Sequence, residues 1–276
     1  MEKTKQEAIH EKGFDMYTKI KVGPKNLEDA TLEIGTLSKL QNAFKKKVNV
    51  LKALESGDLK TIRELSRFYF NISGIYERVC KYAAKLYRYD WYIEPRIYNK
   101  TEAIVKKATK EFYSTLEYFD NSYIKKITED IAEEVVVSGA YYGYWIDCGD
   151  SFVIQQLPIE YCRSRFNAGN VPAVEFDMSY FDTFVDIAYR NKILKLFPDE
   201  FAKGYKLYKE KKIPPETKLE EFGRYYLLDP DYAVKFSLSK NDVPMFVNAI
   251  PSIIDLDQAQ ELDRKKQLQS LSKILV

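Results

Sequence analysis

Residues 138–157 read SGAYYGYWIDCGDSFVIQQL, and the fold class turns on this stretch. Up to Ser138 the apolar side chains recur at helical spacing. From Tyr141 they come as aromatic and β-branched runs, Tyr141 to Ile146 and Phe152 to Leu157. Asp147-Cys148-Gly149-Asp150 separates the runs with residues that close a short turn, so the pair reads as a β-hairpin. Helices end where hairpins begin, a segregated order that implies α+β rather than a parallel βαβ sheet.

Downstream, strands are expected at Tyr161 to Phe166 and Ala173 to Met178, joined across Asn167-Ala168-Gly169-Asn170. A third hairpin is expected from Arg224 to Leu238, which makes the sheet antiparallel. A helix is predicted over Pro198 to Lys212 before the Pro214-Pro215 break, and a final one over Asp255 to Leu275.

Upstream, residues 1–35 carry many charges and a Gly23-Pro24 break, and read as an arm. From Ile34 the positions Leu37, Leu40, Phe44, Val48, Leu51 and Leu54 form an apolar stripe that ends near Gly57. Its other face carries Lys39, Lys45, Lys46, Lys47 and Lys52, the pattern of a solvated helix. Asp58 suits an N-cap for a helix from Leu59 to Phe70. Another begins at Ser73, with Ile75, Val79, Tyr82, Ala83 and Leu86 as its expected buried face, and the chain then runs extended through Trp91 to Ile93. Two further helices are predicted, Glu102 to Phe119 and one with the inward stripe Ile124, Ile127, Ile131 and Val135. The organisation expected is an arm over 1–35, one domain over 36–250 and a helix over 251–276.

Composition narrows the function. Charged residues make up 30% of the 276, an ordinary globular share, and the formal net charge of +2 is too small to imply nucleic-acid binding from the global field. Aromatic residues reach 14%, including 22 Tyr, which favours a chain with interfaces. Cys80, Cys148 and Cys162 are odd in number and form no CxxC pair, so neither a disulfide framework nor zinc is expected, and a reducing compartment is. Charges at Glu2, Lys3, Lys5 and Glu7 exclude a signal peptide, and no apolar run approaches the roughly 20 residues of a membrane span.

Catalytic chemistry has few carriers. The single histidine, His10, sits in the arm, which argues against nucleophilic triads and histidine-based metal sites. There is no GxxxxGK[ST] run and no strand followed by GxGxxG, so neither ATP nor NAD is expected, and no cofactor is. The best enzyme candidate is a carboxylate set, Glu175 and Asp177 alternating on one strand with Asp147 and Asp150 at a nearby hairpin, suited to Mg²⁺ in a nuclease. Tyr141, Tyr142, Tyr144 and Trp145 suggest base stacking, but no basic residue is interleaved, and packing explains them better. Arg63, Arg67, Arg78 and Arg88 suit either contacts with a neighbouring chain or intrachain ion pairs.

Three ordered stretches resemble the portal proteins of tailed bacteriophages. The first runs from Leu59 to Pro95: Ile62-Arg63, Ser66-Arg67, Ser73-Gly74-Ile75-Tyr76, Arg78, Tyr82-Ala83, Leu86, Tyr89-Asp90 and Pro95 follow the family's wing helices. The second comprises Gly139-Ala140-Tyr141-Tyr142-Gly143-Tyr144, Gln155-Gln156-Leu157-Pro158, Tyr161-Cys162-Arg163 and Val174-Glu175-Phe176-Asp177, similar to the wing hairpins. The third is Ile250-Pro251-Ser252-Ile253-Ile254-Asp255, leading into Leu262, Leu268 and Leu271.

The resemblance implies a structural rather than catalytic protein: a wing-like α+β subunit of a homo-oligomeric, generally dodecameric ring at the capsid vertex. It further implies location in the virion after assembly in the host cytoplasm. The implied partners are the major capsid protein, a head-tail adaptor, the terminase and double-stranded DNA passing without base readout. Arg264, Lys265, Lys266 and Lys273 are then candidates for the DNA channel, and Arg63, Arg67, Tyr76 and Arg78 for the subunit interface. Portal proteins also carry a stem, clip and crown, and the resemblance reaches only the wing and the helix towards the stem, so a partial sequence is the expectation. The alternative function is a metal-dependent nuclease or DNA-binding module using Glu175 and Asp177.

Overall fold

Gly57 and Asp58 part the first two helices of the structure, a computed structural model that describes residues 44, 46–89, 94, 101–215 and 222–274. Helix α1 (Lys47–Ser56) ends on Gly57, whose φ of 67° is a left-handed conformation that glycine adopts without steric cost. Asp58 accepts hydrogen bonds from the amides of Lys60 at 3.3 Å and Thr61 at 3.2 Å, and so starts α2 (Leu59–Ile72) as its position implies. Next come α3 (Gly74–Tyr89), α4 (Glu102–Asn121) and α5 (Ile124–Ser138). The arm expected over 1–35, Leu37 and Leu40 of the first stripe, and the extended run Trp91 to Ile93 lie outside the described residues.

The decisive hairpin forms as expected. β1 (Ala140–Asp147) pairs antiparallel with β2 (Phe152–Gln156), with Tyr144 opposite Gln155 and Asp147 opposite Phe152. β3 (Cys162–Arg163) and the later β6 (Glu175–Asp177) also pair antiparallel, over fewer residues than expected. The turn between them is itself a small ladder, β4 (Asn167–Ala168) against β5 (Val171–Pro172).

The third expected hairpin is not one. β7 (Tyr225–Leu227) pairs antiparallel with β6, whereas β8 (Ala233–Ser237) joins β1, giving the sheets β2-β1-β8 and β3-β6-β7. The residues between them explain the parting. The Leu228 amide donates to the Val174 carbonyl, and the Asp229 carbonyl then accepts from the amides of Tyr232 and Ala233. The Tyr232 carbonyl takes the Trp145 amide at 2.8 Å, so the chain leaves one sheet and enters the other within a single turn. Glu200 holds that turn by accepting the Asp229 amide at 2.8 Å.

Between β6 and β7 lie a 3-10 helix (Met178–Thr183), α6 (Ile187–Leu194) and α7 (Asp199–Lys209). No helix is expected from the sequence at α6. It is short, and Asp186 starts it by accepting the Ala188 amide at 2.9 Å. α8 (Ile250–Ile274) begins before the expected Asp255, because Ile250, Ile253 and Ile254 form a buried first turn.

The architecture is therefore α+β, and the chain divides into two compact units built from separated stretches. One draws its described residues from Arg88–Thr128 and Tyr141–Phe236, the other from Lys25–Tyr87, Glu129–Ala140 and Ser237–Val276. The first unit is packed by aromatic rings. Phe176 of β6 meets Phe201 of α7 edge-on at 5.2 Å, Phe201 meets Phe197 at 5.0 Å, and Trp145 stacks on Phe152 at 3.9 Å. Much of the aromatic content is thus core, and Tyr141, Tyr142 and Tyr144 are buried with it. The second unit packs Val50, Leu65, Phe68, Tyr76 and Cys80 against Val136, Val247 and Ile250. No helix among the described residues is long and apolar enough to cross a membrane.

Candidate assembly surfaces

Within the second unit, α2 closes the C-terminal end of α5. The last carbonyls of a helix lack intrahelical donors. Here Ser66 donates its hydroxyl to the Val137 carbonyl at 2.6 Å, and the Arg63 Nε donates to the Ser138 carbonyl at 2.9 Å. Arg67 reaches the Ser138 hydroxyl at 3.0 Å and pairs with Glu134 at 3.0 Å. Both arginines are engaged inside their own chain, the second of the two roles open to them.

Tyr76 corrects an expectation. Proposed for a subunit interface, it is 1% exposed, its hydroxyl 2.8 Å from that of Ser66. Burial raises its phenol pKa well above the ordinary value, which the Ser66 contact only partly offsets. The ring fills the core, so it presents no surface to a neighbour. Arg78 is exposed.

The stripe expected to be buried on α3 points outward instead. Ile75, Val79, Tyr82 and Leu86 are 44%, 41%, 71% and 56% exposed, while Tyr76, Cys80 and Ala84 face the core. The buried stripe is one residue out of register with the expected one, a rotation of about 100°. Cys80 and Ala84 are small and let the helix lie close, and Tyr76 supplies the hydroxyl that meets Ser66. The signal for this second face was in the sequence: α3 carries two apolar stripes, and a helix apolar on two sides has two surfaces to cover. α1 shows the same shift, since Val48 and Leu51 are exposed while Val50 and Ala53 are buried.

α8 is a second exposed element. Every residue from Asp255 to Ser270 is exposed, Leu256, Leu262 and Leu268 included. Arg264, Lys265 and Lys266 lie on this stretch, with Lys265 2.7 Å from Glu261, and Lys273 falls on the same helix.

The carboxylate set is not built for a cation. Glu175 is buried and faces two guanidinium groups: Arg165 binds it at two points, 2.8 and 2.7 Å, and the Arg163 Nε lies at 2.8 Å. Burial pushes its carboxyl up, but the hydrogen bonds from Arg165 and Arg163 outweigh that and hold it below the ordinary 4.5. The Arg163 guanidinium in turn lies 3.2 Å from the centre of the Tyr225 ring. Asp177 accepts the Ser179 amide at 3.0 Å and pairs with Arg224 at 3.2 Å. Asp147 instead accepts from the Tyr118 hydroxyl and the Gly149 amide. Among the described residues no group of three or more His, Cys, Asp or Glu side chains is gathered for a metal. Arginines at spacings no metal motif uses are what the sequence reading passed over.

No protein-family model, no curated protein and no solved structure matches the chain.

Proposed function

We propose that this chain is a structural, non-catalytic subunit of a self-assembled ring of the portal type, the channel by which DNA enters and leaves a tailed-phage capsid. One observation carries the reading: the exposed stripe Ile75, Val79, Tyr82 and Leu86 on α3 falls inside the Leu59 to Pro95 stretch whose residues follow the portal wing. Side chains of this size gain about 1.5–3 kcal/mol each on full burial, so a continuous stripe favours a covered state. A ring covers such a stripe with a different surface of the next copy, an interface that closes on rotation. Arg78, three residues after Ile75 and four before Tyr82, flanks the stripe and supplies a polar rim.

On this reading the partners are further copies of the chain in a dodecameric ring, the major capsid protein, a head-tail adaptor, the terminase and double-stranded DNA. The mass of the native particle at physiological salt tests it. A particle of about twelve 32.3 kDa subunits, reduced to monomer by Val79→Glu with Tyr82→Glu at unchanged helix content, is the expected result. A wild-type monomer at every concentration would overturn it.

A further inference from the structure

We propose that the lysines along and beyond α7 form a nucleic-acid contact that grips the phosphodiester backbone without reading bases. Lys203, Lys206 and Lys209 recur at three-residue intervals along the helix, Lys211 and Lys212 follow its end, and all five are exposed. From Lys203 to Lys212 five lysines stand against Glu210, a net +4 where the whole chain carries +2, so everything else sums to −2. The positive field is concentrated on this face although the global charge is near neutral.

The core holds the helix beneath the row. Phe201 and Tyr205 are buried, and Lys209 is anchored 2.6 Å from Asp182, its ammonium 5.4 Å from the Tyr208 ring. From Lys203 to Lys209 the helix rises about 9 Å. One DNA strand presents a phosphate every ~3.4 Å of axis, so a strand laid along the row offers each lysine a phosphate. The macrodipole accounts for lysines in the last turn, Lys206 and Lys209, but not for Lys203 in the middle of the helix.

The residue types choose the partner. Planar carboxylates are best gripped by the forked guanidinium of arginine, whereas a lysine is a point charge suited to phosphate, and the row holds no arginine. Binding in a lipid interface needs apolar side chains to insert, and among the described residues none of the large apolar ones from Asp199 to Ile213 is exposed.

The test is fluorescence anisotropy of the full chain with a duplex of arbitrary sequence, from about 50 to about 200 mM salt. Lys203→Ala/Lys206→Ala/Lys211→Ala should weaken binding at least roughly tenfold and make the log K against log [salt] slope shallower by about 2–3, at ~0.9 for each phosphate no longer neutralised. Lys106→Ala/Lys107→Ala/Lys110→Ala on α4, which removes the same charge, should leave both within about twofold. Equal weakening in the two variants would assign the effect to net charge and overturn the proposal. So would absence of duplex binding by the wild type at the lowest salt, or tighter binding to phosphatidylserine vesicles than to duplex. Particle mass tests the ring reading separately, and neither result depends on the other.

Discussion

Arg165 grips Glu175 at two points, Nε to Oε2 at 2.8 Å and Nη2 to Oε1 at 2.7 Å, on a strand that also carries the paired Asp177. The Arg163 Nε shares Oε2, so one buried carboxylate organises two guanidinium groups at the edge of the β3-β6-β7 sheet. Removing it leaves both arginines without their central partner. Glu175→Ala is expected to cost roughly 2–3 kcal/mol, below the figure for a fully buried pair because the Arg165 side chain is half exposed. Urea unfolding at neutral pH measures this.

The same carboxylate sets an acid limb. Its folded pKa is lowered, so the unfolded chain binds more protons and the pair's contribution rises with pH. That contribution is full above the ordinary value of 4.5 and is lost as pH falls through the lower folded value. Between neutrality and about pH 3 the wild type should lose more stability than Glu175→Gln, and the two curves should converge at the acid end. Parallel curves would show that Glu175 does not drive the limb.

Two tyrosines on α3, six residues apart, should respond in opposite ways. Tyr76→Ala opens a hole in the core and is expected to cost about 3–5 kcal/mol. Tyr82→Ala removes an exposed ring and should change the stability of the monomer by no more than about 0.5 kcal/mol. Urea midpoints followed by helix signal, at a concentration that keeps the chain monomeric, compare the two.

Gly139→Ala should be among the most damaging single changes in the second unit. The residue has φ 87°, and a Cβ there would lie 2.0 Å from the Asp242 carbonyl oxygen. Backbone has to move to admit it, at a cost of roughly 3 kcal/mol or more. Thermal unfolding reports the loss.

Cys80 should resist thiol reagents in the folded protein. It is buried, and burial pushes its thiol up to about 11, so only about one thiol in several thousand is ionised near pH 7.5. Iodoacetamide labelling followed by mass spectrometry should leave Cys80 unmodified until denaturant is added, while the half-buried Cys148 and Cys162 label natively.

What the sequence determined by itself was local. The Gly57 stop, the Asp58 cap, the β1–β2 hairpin and the order of helices before strands follow from hydrogen bonds and periodicities that close within a few residues. Tertiary structure alone decided the rest. A strand has two edges, so β7 and β8 could pair with each other, and contacts from Val174 and Trp145 sent them to different sheets. A helix with two apolar stripes can bury either, and on α3 the choice fell to Tyr76, Cys80 and Ala84, which fit against α2 and expose Ile75, Val79, Tyr82 and Leu86. Likewise Glu175 and Asp177 read as a cation site only while Arg163, Arg165 and Arg224 remain unplaced. A carboxylate binds whichever cation is brought to it, and the fold, not the local sequence, brings the arginines.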